Sequence, residues 1–256
     1  MKLQDKINAT APVVVGLDPR LEKIPKRLGT GPEAVLAFNK AIIDAVADLV
    51  PAVKLQLAFY ELLGVSGMDV FWKTAKYAKE REMYVIADGK RNDIGSTAKA
   101  YAEAYLGRDE VDALTVTPYL GSDGIKPFTD RGEVFLLVKT SNPSSGELQD
   151  LDVGEKKLYA HVAELVNKHN CNAVVGATYP EQAAELRELM PDAIFLVPGY
   201  GAQGGGAKDV LPCFKNGQGA IVNSSRGIIH ASTGDDFAEK AREAAEKMIA
   251  DIKSVL

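Results

Sequence analysis

Eight short β-rich runs recur along 256 residues, alternating with stretches of helical periodicity, and that rhythm leaves few folds open. The runs are Val13–Leu17, Ala52–Leu57, Tyr84–Ala87, Ala113–Val116, Val134–Val138, Ala173–Val175, Ile194–Val197 and Ala220–Val222. Apolar residues at helical spacing mark Pro32–Leu49, Asp69–Arg81, Ser96–Leu106, Glu155–His169, Pro180–Met190 and Asp235–Val255. Asp235 and Asp236 open the last of these, and its Lys and Arg residues come later. Strands that alternate with helices pair in parallel through right-handed crossovers. Eight such units in about 250 residues is the size of a (β/α)8 TIM barrel. The competing arrangement, an open doubly wound sheet, has fewer units and a different ligand crevice. No Pro/Gly/Ser-rich linker divides the chain, so one α/β domain over residues 1–256 is expected.

Composition narrows the function. A hydrophobic content of 46% suffices for a large core. With 30 basic and 35 acidic residues the net charge is −5, which argues against a nucleic-acid or acidic-membrane partner. The opening residues Met1-Lys2-Leu3-Gln4-Asp5-Lys6 lack the apolar stretch of a secretory signal, and no apolar run reaches membrane-spanning length. Cys171 and Cys213 are too few and too far apart for a disulfide framework or a zinc site, and are expected as buried thiols. A soluble, cytoplasmic protein is the expectation.

In a barrel the site lies at the carboxyl ends of the strands. Asp18 follows the first run, and Lys54 and Gln56 lie in the second. Asp88 and Lys90 follow the third, and Lys139-Thr140-Ser141-Asn142 follows the fifth. The seventh opens into Pro198-Gly199-Tyr200-Gly201-Ala202-Gln203-Gly204-Gly205-Gly206, and the eighth into Asn223-Ser224-Ser225-Arg226-Gly227. A glycine-rich loop after strand 7 with a polar turn after strand 8 is how barrels grip phosphate. Glycines let backbone N–H groups approach the anion, and Arg226 adds a two-pronged charged contact. Gly199 to Gly204 also matches the dinucleotide pattern GxGxxG, but no acidic residue closes the next strand, where Ile221-Val222-Asn223-Ser224 stands. Nicotinamide and flavin are therefore set aside.

The phrase Asp88-Gly89-Lys90-Arg91-Asn92-Asp93 places two carboxylates around a lysine. By strand alternation Asp88 and Lys90 share a face. A solvated turn with a salt bridge is the bland alternative. With Lys54 nearby, the four charges form an alternating network that costs no reorganisation when a substrate reacts. Lys90 between carboxylates stays protonated and suits a proton donor.

Six phrases carry a resemblance over nearly the whole chain, in family order. They are Val15 to Asp18, Val53 to Glu61, Asp88 to Thr97, Lys139 to Ser144, Val197 to Gly205 and Ser224 to Ile228. Together the chain resembles the orotidine 5′-phosphate decarboxylases, in their longer bacterial-type branch. The resemblance implies decarboxylation of orotidine 5′-monophosphate to UMP with no metal and no organic cofactor. It implies that Lys90 protonates C6 of the pyrimidine after CO2 leaves, that Asp88 lies against the substrate carboxylate, and that Lys54 belongs to the same array. It implies a homodimer in which Asp93 and Thr97 cross the interface. Asp18 and Lys54 would contact the ribose region, and Ser141 would read the pyrimidine edge. Pro198 would line the base pocket, and Gln203 and Arg226 would grip the phosphate. Gln56 stands where related enzymes can carry asparagine.

Two other readings stay in view. Magnesium-dependent ketose-phosphate decarboxylases or aldolases share the fold and the DxKxxD phrase but use a strand-2 glutamate on the metal, where Lys54 would repel Mg2+. A non-catalytic nucleotide-binding barrel would need the phosphate loops but not Lys90 with both acids. His161, His169 and His230 read as ordinary polar positions, Val70-Phe71-Trp72 as core or subunit contact, and no GxSxG elbow occurs. The glycines from Gly199 to Gly206 suggest a loop that closes over substrate.

Overall fold

A computed structural model describes residues 2–201 and 205–256. Ten strands occur among them: β1 (Val13–Leu17), β2 (Ala52–Gln56), β3 (Tyr84–Arg91), β4 (Ala113–Val116), β5 (Glu133–Lys139), β6 (Asp152–Val153), β7 (Lys156–Lys157), β8 (Asn172–Val175), β9 (Phe195–Val197) and β10 (Ala220–Ser224). Eight of them close into a barrel in the order β1-β10-β9-β8-β5-β4-β3-β2, while β6 and β7 form a separate two-stranded ribbon. The barrel strands are rich in β-branched residues and buried on both faces, as parallel strands covered by helices must be. The (β/α)8 expectation holds, and the open sheet is excluded.

Contacts within the chain define two units: residues 1–89 with 223–254, and residues 90–222 with 255–256. In the first, β1 and β2 pair in parallel with Gly16 opposite Lys54, and β2 pairs β3 with Gln56 opposite Asp88. Helices Gly31–Val46, Gly64–Glu80 and Phe237–Lys253 supply its outer layer. Phe38, Ile42, Phe71 and Phe237 are fully or almost fully buried there, and the rings of Phe38 and Phe237 stack at 5.1 Å. Burying each such side chain stabilises the fold by about 1.5–3 kcal/mol.

In the second unit β4, β5, β8 and β9 run in parallel register, with Ala220–Val222 of β10 against β9. The β5–β8 register shifts between Leu137 and Lys139. Arg187, 3% exposed, holds several segments at once. Its Nε donates to Cys213 O at 2.9 Å, Nη1 to Met190 O and Ala193 O at 2.9 Å, and Nη2 to Gly219 O at 2.8 Å, while its guanidinium carbon lies 3.6 Å from the centre of the Phe195 ring.

Several boundaries differ from expectation for identifiable reasons. The helix expected from Glu155 begins at Leu158, because Lys156–Lys157 pair with Asp152–Val153 around Gly154, whose φ is +66°. Helix Leu3–Ala9 carried a short signal, the buried i,i+4 pair Leu3 and Ile7. Helix Ser122–Thr129 contains Pro127, which conceals it from a propensity reading. Cys171 and Cys213 are free and buried, as expected, and burial pushes both thiols up to about 12. Among the described residues no helix is long and apolar enough to cross a membrane.

Candidate active site

The parallel register of β1, β2 and β3 explains how ionised groups come together at the strand ends. Lys54 and Gln56, two apart on β2, share a face, and Asp88 stands opposite Gln56. Lys54 Nζ therefore reaches Asp88 Oδ2 at 2.9 Å and Asp18 Oδ1 at 3.7 Å, and Gln56 Nε2 donates to Asp88 Oδ2 at 3.1 Å. Lys54 is 5% exposed and Asp88 6%. Burial works against the Lys54 ammonium, but Asp18 and Asp88 outweigh it and hold its pKa above the ordinary lysine range. An ammonium that stays charged in this setting is a fixed positive pole between two negative ones.

Tyr60, a residue to which the sequence attached no role, ties down the backbone of Leu17, the residue before Asp18. Its hydroxyl donates to Leu17 O at 3.1 Å and accepts from Asn39 Nδ2 at 3.0 Å. Burial, with Asp18 adding to it, raises the Tyr60 pKa well above the ordinary value, so the phenol stays a donor. His230 is also not an ordinary polar position. Its ring stacks 5.6 Å from Phe38, and both ring nitrogens are shut away from water. Burial, with Lys23 and Arg20 beside it, pushes its pKa down to about 4.

On the same unit, Ser225 and Arg226 follow β10, and the turn depends on Gly16. A Cβ on Gly16 would lie 1.9 Å from Ser225 Oγ and 2.9 Å from Ser225 Cβ. Arg226 is exposed and opens the short helix Arg226–Ile229.

Lys90 lies two residues beyond Asp88 on β3. Lys90 adopts φ +47°, a left-handed conformation uncommon for a side chain of this size, and it is exposed where Asp88 is buried. Its backbone N–H donates to Thr115 Oγ1 at 2.9 Å. Backbone strain of this kind concentrates at functional sites. Asp93 is half-buried at the entry to helix Gly95–Leu106, where its Oδ1 accepts from Ile94 N at 2.8 Å, and Thr97 on that helix is exposed. Ser141 is half-buried after β5, and Pro198 directly follows β9. Gly201 N donates to Gly205 O at 2.7 Å across the glycine-rich loop. Gln203 lies outside the described residues. Thus Asp18, Lys54, Gln56 and Asp88 are in contact as one array. Among the described residues no group of three His, Cys, Asp or Glu side chains is placed to hold a metal ion.

The closed parallel barrel defines the class: a (β/α)8 barrel, a fold whose enzymes carry their chemistry at the carboxyl ends of the strands. The chain belongs to the orotidine 5′-phosphate decarboxylase / HUMPS family, whose model matches residues 11–253. It is 50% identical over 262 residues to an orotidine 5′-phosphate decarboxylase of Rhodopirellula baltica, covering 90% of this chain and 87% of that one. Its structure is similar to that of Leishmania donovani OMP decarboxylase, with a TM-score of 0.84, 31% identity and coverage of 99% and 96%. It is also similar to Leishmania donovani UMP synthase, with a TM-score of 0.87 and 33% identity over 99% of this chain, which spans 55% of that longer protein.

Proposed function

We propose that this chain decarboxylates orotidine 5′-monophosphate to UMP in pyrimidine biosynthesis, without metal or organic cofactor, and that residues 1–256 act as one cytoplasmic catalytic domain. The observation that carries this reading is the buried Lys54 ammonium held at 2.9 Å from Asp88 and 3.7 Å from Asp18. Losing CO2 from C6 leaves an electron pair on a ring carbon, and fixed charges must stabilise it. An array whose members already hold one another does so with little reorganisation.

Asp88, set against the substrate carboxylate, repels it by roughly 4 kcal/mol at about 4 Å and an effective dielectric of about 20. That repulsion disappears as neutral CO2 departs. Enzymes lower barriers by about 8–23 kcal/mol, so the larger share falls elsewhere. The C6–carboxyl bond breaks with its electrons left on C6, and the Lys90 ammonium stabilises that pair and then delivers its proton to it. Remote contacts supply binding energy for the strained step. Gln203, Arg226 and the loop amides grip the phosphate, Asp18, Lys54 and Gln56 meet the ribose region, Ser141 reads the base edge, and Pro198 lines its pocket.

The site is completed in a homodimer, with Asp93 and Thr97 entering the neighbouring subunit's site. Support comes from the exposure of Ile94 at 54% and Tyr101 at 37% beside them, apolar surface that a subunit contact would cover. The test is to follow loss of orotidine 5′-monophosphate absorbance with purified protein treated with a chelator. Turnover that survives chelation is expected; no turnover, or turnover restored only by Mg2+, would refute the reading.

A further inference from the structure

Lys139 ends β5 with 0% exposure, and the proposed chemistry does not use it. An ammonium taken out of water is held only against good partners, and here they all lie downstream of its own strand. Nζ reaches Asp150 Oδ1 at 2.6 Å, donates to Ser145 Oγ at 3.2 Å, and stands 4.3 Å from the centre of the Tyr179 ring. The register shift between Leu137 and Lys139 re-aims the side chain, as β-bulges do.

Ser141 sits two residues beyond Lys139, inside the loop this ion pair closes. Thr140 N donates to Gln149 Oε1 at 2.9 Å, and Gln149 Nε2 donates to Thr140 Oγ1 at 2.8 Å. From the segment after β8, Thr178 Oγ1 donates to Ser141 O and Tyr179 OH to Asn142 O, both at 3.2 Å. Gly176 packs so closely that a Cβ there would lie 2.8 Å from Ser141 N and 2.9 Å from its Cα. The Ser141 backbone is thus fixed by the Lys139–Asp150 tie, by Gln149 and by the end of β8.

We infer that Lys139, acting through Asp150, is a positioning residue that sets base selectivity by fixing where Ser141 presents its hydroxyl. A serine hydroxyl rotates to donate or accept, so it discriminates uracil from cytosine only if its backbone is held still. A site built around one hydrogen-bonding pattern then rejects the other by leaving a buried polar group unpaired. The inference rests on the reading that Ser141 faces the base of a pyrimidine nucleotide.

The experiment measures affinities for UMP, CMP and ribose 5-phosphate in the wild type and in Lys139→Met, Asp150→Asn and Gly176→Ala. Lys139→Met is expected to lose about tenfold in UMP affinity, the scale of one charge-assisted contact, and a similar factor in the UMP/CMP ratio. Ribose 5-phosphate, which has no base, should stay within about twofold of wild type on that scale. Asp150→Asn keeps the side-chain size at a partly exposed position and should give the same pattern in weaker form, so the test stands even if Lys139→Met does not fold. Gly176→Ala reaches Ser141 from the other side and should also lower the UMP/CMP ratio. If the folded variants keep that ratio, or lose UMP and ribose 5-phosphate affinity equally, the inference is wrong. A wild type that turns over substrate while the variants keep the ratio refutes this inference alone; a wild type with no turnover and no preference for UMP over ribose 5-phosphate refutes the decarboxylase reading beneath it.

Discussion

Replacing Lys54 by methionine removes the charge while keeping most of the side chain's length. At 2.9 Å from Asp88 and 3.7 Å from Asp18, the ammonium attracts the two carboxylates by about 6 and about 4.5 kcal/mol at an effective dielectric of about 20. Burial of the ammonium cancels part of that gain. Removing one partner of a buried ion pair costs about 3–5 kcal/mol, because the remaining charge stays buried. Asp88 is 6% exposed, so the variant should lose that amount near pH 8, a large part of a typical stability of about 5–15 kcal/mol. Protonating the stranded carboxylate relieves the penalty, so the deficit should narrow as pH falls toward 5. In the wild type the sign at alkaline pH is opposite. The folded lysine pKa is raised, so its stabilisation is complete below the unfolded value of about 10.4 and declines as pH rises beyond it. The assay is urea denaturation of both proteins at pH 5 and pH 8, with substrate turnover alongside. Adding Asp88→Asn to Lys54→Met removes the stranded charge and should restore most of the stability but not the activity. A Lys54→Met protein as stable as wild type at pH 8, with no narrowing at pH 5, would show that charge does not hold this array together.

Three further outcomes are expected from other parts of the molecule. His230 has a folded pKa of about 4 against about 6.5 when unfolded, so the unfolded chain takes up a proton first as pH falls. Stability should drop by about 2–3 kcal/mol between pH 6.5 and 4, and His230→Phe, which keeps the stack on Phe38, should lose less over that range in the same denaturation measurement. Gly16→Ala forces a methyl group against Ser225 and should displace the turn that carries Arg226; an overpacking strain of about 1–3 kcal/mol should appear as a raised KM with kcat less changed. Arg187→Met leaves the carbonyls of Cys213 and Ala193 without their donor and removes a second one from Met190 and Gly219, and should cost about 3 kcal/mol or more by thermal unfolding.

The barrel was legible because its strands are short apolar runs at regular intervals; β1 and β4 match their runs residue for residue. The charged array was legible because strand alternation and parallel register suffice to bring Lys54, Gln56 and Asp88 together. The left-handed φ of +47° at Lys90 was not legible, because nothing in a strand-like run announces such a conformation at a lysine. Lys139 stood in a phrase already singled out, but a lysine at a strand end reads as a solvent-facing charge unless its partner is known, and Asp150 is 11 residues away. His230 gave no signal, since its burial comes from Phe38 on a helix nearly two hundred residues earlier in the chain.

The central claim is that the Lys90 ammonium supplies the proton that ends the reaction. It is tested most directly by the turnover of Lys90→Ala together with its affinity for UMP. A general acid is worth about 10²–10⁴ in rate, so kcat should fall by at least that factor while UMP still binds. A variant that turns over orotidine 5′-monophosphate within about tenfold of wild type, well short of that loss, would contradict the account.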